Sequence, residues 1–364
     1  MTIDICIIGA GVSGLYAANE CKRRGLSYRL LERTDRVGGL VKTCDMKGGR
    51  LLEKCPIRYL PEEHRIIDSI VKENNIPIQD EKNPTQYRIN GELLSFEESN
   101  NIASAYSDAV ENILTDDNDM TTILQLLRSN YTVKNNLDKP ISYIISDLEN
   151  DIIYLDVMRL VLLFETTLSV SSRLYKTFPS GVVYKSFVNG TMDIVNALKK
   201  DVKVDLSTDV TAIMGNIVVT HNEFIKAKRI FFCADVTDIN KIINGSSIPR
   251  LSELYTRIYI RLNHKWKYDD IRLFYKDTQF LLWKWDDNTV MVYGESVDIS
   301  VVEYVKKLYN LNIERIYPTE ARIYFNFTTP DRVINENIYL TSSSMSVDQS
   351  TWMNGGMKLV KKYL

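Results

Sequence analysis

Residues 3–10 (IDICIIGA) form a short, almost unbroken apolar run rich in isoleucine, the pattern of a strand buried on both faces within a parallel sheet. A glycine turn then leads into LYAANECKRRG, where Leu15, Ala18 and Cys21 recur at helical spacing and Gly25 stands where a helix C-cap is expected. SYRLLE, residues 27–32, reads as a second strand ending in an acid. Strand, glycine turn, helix, strand and terminal acid in this order have the size of a βαβ unit. Beyond Gly49 the pattern breaks into short elements, followed by a helix over 62–74 and a hairpin over 86–96 that turns at Asn90-Gly91. No glycine occurs between Gly91 and Gly181, and the polar–apolar mixture there has helical period, so 97–180 is expected to be an inserted, mostly helical region. Strand and turn patterns return over 182–235, and 254–327 reads as strand-rich with many aromatics.

The chain has 364 residues, room for two or three structural units at about 100–200 residues each. Its 45% apolar and 25% charged content is that of a globular protein. Lys and Arg number 45 against 47 Asp and Glu, a net charge of −2, which leaves no basic excess for a nucleic-acid footprint. Lys358, Lys361 and Lys362 read as a solvated helix end that complements the helix dipole. The strictly apolar runs, such as Leu160–Phe164, are far short of the roughly 20 residues a spanning helix needs. Five cysteines without a CxxC pair do not form a disulfide framework, and His64, His221 and His264 are too scattered to indicate zinc. With MTIDICIIGAG running straight into a strand, the chain is expected to be cytoplasmic, without leader or membrane span, and to act on a small molecule.

Gly9, Gly11 and Gly14 form a G-x-G-x-x-G pattern between strand and helix, and Glu32 follows at a strand end. In such a turn Gly9 permits the tight bend, Gly11 lets main chain approach a pyrophosphate, and Gly14 allows close helix–strand packing. The N–H groups of Val12 and Ser13 at the helix start face that diphosphate, and Glu32 accepts from an adenosine ribose. The next residues, Glu32-Arg33-Thr34-Asp35-Arg36-Val37-Gly38-Gly39, resemble the E-x-x-x-R-x-G-G extension of FAD-binding amine oxidases, protoporphyrinogen oxidases, phytoene desaturases and UDP-galactopyranose mutases. The resemblance implies FAD as cofactor, with Arg33, Arg36, Gly38, Gly39 and Leu40 along the diphosphate and flavin edge. It also implies an α/β fold: a Rossmann-like FAD-binding domain built from discontinuous segments, with a mixed α+β substrate domain. Three later stretches are similar to the superfamily in order. They are Gly49 through Glu53-Lys54-Cys55-Pro56, then Asn189-Gly190-Thr191-Met192 with the strand pair that holds Val210, and finally Asn337–Leu340 with Trp352-Met353-Asn354-Gly355-Gly356. By resemblance, Val210 meets the adenine, and Ser343 and Met353 close the flavin end. The domains expected on this basis are 1–60, 182–245 and 330–364 for FAD, and 61–181 and 246–329 for substrate.

The chain departs from that pattern where function is decided. Cys55 replaces a glycine beside the ring, and Ser342-Ser343 replace a Gly-acid pair. The strand on which amine oxidases carry a lysine facing the flavin offers Thr256 or Arg257. Trp352 is the aromatic close to the terminal loop, so Cys55, Arg257 and Trp352 are the candidates near the flavin, without an assigned catalytic role. The resemblance implies an FAD-dependent oxidoreductase taking hydride from a C–H bond, with an amine as one possible substrate. Two alternatives stay open: a non-redox flavin-dependent sugar-nucleotide mutase or isomerase, and a flavin-free binding module on the same fold.

Overall fold

The computed structural model describes residues 2–45, 49–81, 85–89, 92–99, 183–243, 251–275, 278–295, 297–325, 333–343 and 353–364. The expected helical region therefore lies, from residue 100 on, outside the described residues, as does Trp352. The N-terminal part runs β1 (Ile3–Ile8), α1 (Val12–Arg23), β2 (Tyr28–Leu31), β3 (Thr43–Cys44), β4 (Leu52–Glu53) and β5 (Arg58–Tyr59). Then come α2 (Arg65–Glu73), β6 (Ile78–Glu81), β7 (Thr85–Ile89) and β8 (Glu92–Leu93). The middle holds β9 (Tyr184–Phe187), α3 (Met192–Lys199), β10 (Val210–Met214), β11 (Ile217–Thr220), β12 (Phe224–Phe232) and α4 (Val236–Ile242). The last part holds β13 (Leu251–Leu262), β14 (Asp270–Tyr275), β15 (Thr278–Asp286) and β16 (Thr289–Glu295). It closes with α5 (Ile299–Tyr309), β17 (Ile313–Phe325), β18 (Val333–Asn335), β19 (Ile338–Leu340) and α6 (Met353–Tyr363).

The first sheet is parallel at its centre, in the order β19-β12-β1-β2. The long β12 also begins a meander by pairing antiparallel with β11, which pairs with β10. The isoleucine run of β1 is buried on both faces, as its composition predicts: Ile5 and Ile7 join one core and Cys6 and Ile8 the other. On the first face lie α1, α2, α3 and α6, contributing Leu15, Ile67, Ile194 and Met357. Each such fully buried side chain stabilises the fold by roughly 1.5–3 kcal/mol. Ile67, Ile70 and Val71 of α2 thus sit in the same core as β1, beyond the expected boundary at residue 60. The expected helix over 62–74 is realised as Arg65–Glu73. Its start carries no side-chain cap of its own. Instead Asn354 of α6 accepts from the main-chain N–H of Ile66 and Ile67 at 3.2 and 3.4 Å.

The second sheet has the order β17-β13-β16-β15-β14-β7-β8. All its pairings are antiparallel except β14 with β7. The hairpin expected over 86–96 is realised by Thr85–Ile89 and Glu92–Leu93, with Ile89 opposite Glu92, while Asn90-Gly91 lie outside the described residues. The strand-rich reading of 254–327 needs one correction: α5 interrupts it. Its Val301, Val302 and Val305 favour strand by local preference, but Asp298 caps the helix by accepting from Ser300 N–H at 2.8 Å. Burial of the three valines under the second sheet then outweighs propensity. Among the described residues no helix is long and apolar enough to cross a membrane.

Candidate functional site

At the C-terminal ends of β1, β2 and β12 lies a cavity of about 590 Å³, the location expected of a ligand in a parallel α/β sheet. Gly9, Gly11, Val12 and Ser13 form its floor. Gly14 does not line it and serves packing instead: a Cβ there would stand 1.9 Å from the carbonyl oxygen of Gly9. Helix α1 begins at Gly11 without a side-chain cap and without an acid in its first turn, so its N-terminal N–H groups keep their capacity for an anion. Glu32 lines the cavity and already fixes local structure. One carboxylate oxygen accepts from Ala10 N–H at 2.8 Å, the other from the N–H and hydroxyl of Thr34 at 3.0 and 2.8 Å. With about four acceptor positions on a carboxylate, one is left for a ribose hydroxyl.

Arg33, Arg36, Gly38, Gly39 and Leu40 form the next part of the wall. Gly38 bridges to Gly11 as an isolated parallel pair and donates to Ala10 O at 2.8 Å, which holds the two glycine segments together. Arg36 differs from the expected phosphate fork. Its guanidinium donates to the carbonyls of Val37 and Val41, each at 3.2 Å, and to that of Gly39, stapling its own loop. Arg33 pairs with Asp238 of α4 at 2.9 Å. Val210 lines the far wall, and Ser342, Ser343 and Met353 line the wall beside α6. The close approach of α6 is enforced at Gly356, where a Cβ would come within 1.9 Å of the Ser13 hydroxyl.

Sequence reasoning missed the wall formed by Thr208, Asp209, Cys233, Ala234, Asp235 and Lys241. The available signal was positional: Cys233-Ala234-Asp235 follows the apolar end of β12, and ligand contacts gather at the carboxyl ends of parallel strands.

Cys55 is buried and lines the cavity with Pro56. Its segment is anchored by Glu53, whose side chain is 4% exposed. Glu53 accepts from Thr191 N–H at 2.8 Å and from the Thr43 hydroxyl at 3.0 Å, so it caps the approach to α3. Gly190, at φ +90°, makes this possible, because a Cβ would stand 2.7 Å from the Glu53 carboxylate. Burial pushes the Glu53 carboxyl up to about 7, against the opposing pull of the Thr191 and Thr43 donors and the Arg257 charge. Tyr259 donates to Glu53 O at 2.8 Å. Arg257 does not line the cavity: buried on β13, it donates to the carbonyls of Glu53 and Lys54 and holds the main chain that presents Cys55.

A family model for the NAD(P)-binding Rossmann-like domain matches residues 7–73. An L-amino-acid oxidase of Bungarus fasciatus is 43% identical over 68 residues, 18% of this chain and 13% of that protein. The match to this curated relative therefore covers a small part of its length. Two solved structures share the fold along the chain at 14% sequence identity. Cyclohexylamine oxidase from Brevibacterium oxydans has a TM-score of 0.73, covering 100% of this chain and 98% of that one. A CLA-producing fatty acid isomerase from P. acnes has a TM-score of 0.72, covering 100% and 99%.

Proposed function

We propose that the chain, which shares its fold with cyclohexylamine oxidase, is a member of the amine oxidase-like superfamily and an FAD-dependent oxidoreductase that takes hydride from a C–H bond of a small molecule, one beside nitrogen in an amine. The observation that carries the proposal is the single cavity that joins the uncapped start of α1, Glu32, the Gly38-Gly39 pair and Cys55. These residues fit FAD: free N–H donors for a diphosphate, a carboxylate for a ribose, and side-chain-free glycines where a flat ring must approach. Bound there, FAD supplies a ring that accepts hydride, the chemistry that no side chain offers.

The chain's own residues have separable parts in this reading. Gly9–Gly14 and α1 hold the diphosphate, Glu32 orients the ribose, and Val210 meets the adenine. Arg36 keeps the glycine loop in shape. Ser343 and Met353 close the flavin end, and Cys55 borders the ring. Leu52, Ile57 and Trp283 exclude water behind that segment. In this proposal the FAD unit comprises residues 1–60, extended by α2, with 182–245 and 330–364, and the remainder of 61–181 with 246–329 makes the substrate unit. The five cysteines, without a pairing framework, support a reducing, cytoplasmic setting.

The absorbance of the purified protein tests the proposal. Flavin bands that bleach when an amine is added without oxygen are the expected result; a colourless protein that takes up no added FAD overturns it in favour of a flavin-free binding module. A second reading, isomerisation without net oxidation, is favoured by the fatty acid isomerase that shares the fold. It is distinguished by a flavin that persists oxidised at the end of turnover and a product isomeric with the substrate.

A further inference from the structure

We propose that Glu53 is a proton-operated latch on the cavity wall: neutral, it locks three segments of the chain together, and ionised, it lets them part. It is a positioning residue in this role, since it does not itself line the cavity. That FAD is the occupant rests on the oxidoreductase reading above; the latch rests on how Glu53 is packed.

Glu53 stands where the three segments meet. It faces Thr43 across the two-stranded ladder of β3 and β4. The chain entering β3 gives Gly38, Gly39, Leu40 and Val41 to the cavity wall, and the chain leaving β4 gives Cys55 and Pro56. The third segment is the start of α3. Thr191 N–H donates to Glu53 at 2.8 Å, Met192 N–H to the Thr43 hydroxyl at 3.2 Å, and the Thr191 hydroxyl to Pro56 O at 3.0 Å. Helix α3 also backs the glycine pair, because a Cβ on Gly38 would lie 3.5 Å from Val195. One carboxyl group thus ties both stretches of wall to the helix behind them.

The hydrogen bonds suit either protonation state. The Thr43 hydroxyl is 3.0 Å from each carboxyl oxygen of Glu53. Ionised, Glu53 accepts from that hydroxyl and from Thr191; neutral, it keeps the Thr191 bond and donates its own O–H to the Thr43 oxygen. What separates the two states is burial, which penalises the charge far more than the neutral acid. The charged and titratable groups around Glu53 are Arg257 and Tyr259 of β13 and Asp193 in the first turn of α3. Arg257 donates to the carbonyls of Glu53 and Lys54 and not to the carboxylate, so it offsets the burial incompletely. The carboxyl accordingly sits at about 7, pushed up by burial against Thr191, Thr43 and Arg257. With Glu53 exposed to water the ordinary value of 4.5 returns. The closed arrangement therefore holds the proton more tightly than an open one, and a rise of pH through neutrality favours opening. A ligand that needs the closed wall is held less firmly as the proton leaves.

The test measures FAD affinity from pH 6 to pH 8.5 in the full chain, in Glu53→Gln and in Thr43→Val. Across that range the native affinity is expected to fall by up to about tenfold, the ratio that a carboxyl moved from 4.5 to about 7 permits. Glu53→Gln stays neutral and keeps an oxygen for Thr191 and an N–H for Thr43, so its affinity should not depend on pH. Thr43→Val removes a donor to the ionised form, and the midpoint of the pH dependence should move upward. A second readout needs no flavin: hydrogen exchange at Thr191 and Met192 in the ligand-free protein. Compared at equal pH, exchange there should be several-fold faster in the native chain than in Glu53→Gln at pH 8.5, and equal at pH 6. The same pH course of FAD affinity in both proteins, or equal exchange at both pH values, overturns the latch. If Glu53→Gln does not fold, an unmoved midpoint in Thr43→Val overturns it. A protein that takes up no FAD refutes the flavin reading, and hydrogen exchange then decides the latch; a yellow protein with pH-independent affinity refutes the latch and leaves the flavin reading standing.

Discussion

At the Glu32 end of the cavity the groups available to a ligand are mainly main chain: the uncapped start of α1, the glycine turn and the Gly38-Gly39 pair, with one carboxylate. Beside Cys55 the main chain is held from behind by the buried side chains of Arg257 and Tyr259, from a strand far away in sequence. The first construction works for any molecule with a diphosphate, since N–H groups and a helix dipole do not distinguish what is attached to it. The second is a matter of individual side chains, which fix the position of one segment. The two constructions meet in the wall of one cavity.

The comparison breaks most severely at Gly14. Gly14→Ala would set a Cβ 1.9 Å from the Gly9 carbonyl oxygen, main chain that cannot move without dismantling the turn. A loss of about 3 kcal/mol or more is expected, measured as a lowered urea midpoint. At the opposite end, Glu53 ties stability to pH. Burial holds its carboxyl at about 7 against an ordinary value of 4.5, so the folded state binds the proton more tightly than the unfolded chain. Its contribution is therefore fully present below pH 4.5 and is lost as pH rises towards 7. The expected fall is on the order of 3 kcal/mol, and Glu53→Gln, which stays neutral, should flatten that slope in denaturant titrations at pH 5 and pH 8.

Glu32→Ala is expected to loosen FAD by roughly 1.5–3 kcal/mol, read by the fluorescence of released flavin. Unchanged retention would detach Glu32 from the ribose and leave it only its bonds to Ala10 and Thr34. Asn354→Ala removes the cap that α6 gives α2, and about 1 kcal/mol of stability should go with it. The smallest effect is spectroscopic. Cys55→Gly takes a side chain out of the cavity wall and should shift the flavin absorbance maxima with little change in melting temperature; identical spectra would remove Cys55 from the neighbourhood of the ring.

What was legible in the chain was local. The βαβ unit could be read because each of its parts, the isoleucine run, the glycine spacing, the helical period and the terminal acid, lies within a few turns of the next. The hairpin over 86–96 and the helix over 65–73 were legible for the same reason. Helix α5 was not, since three β-branched valines argue for strand and only the cap at Asp298 and the packing under the second sheet decide otherwise. Arg36 offered a guanidinium at the right place for a phosphate, but its choice of three loop carbonyls depends on how residues 37–41 fold back on it.

By itself the sequence determined the glycine turn after β1, the acid at the end of β2 and the presence of a chain able to form a buried parallel sheet. Short-range sterics and periodicity are enough for that. Only the tertiary structure decided that Arg257 stands behind Cys55, some 200 residues earlier in the chain, and that Gly190 opens the space Glu53 needs to reach Thr191. Only strand register decided that Thr319, Arg257 and Tyr293 share a face. A slip of one residue would turn that row to the opposite face of the sheet, and no local pattern in three separate strands records which register wins.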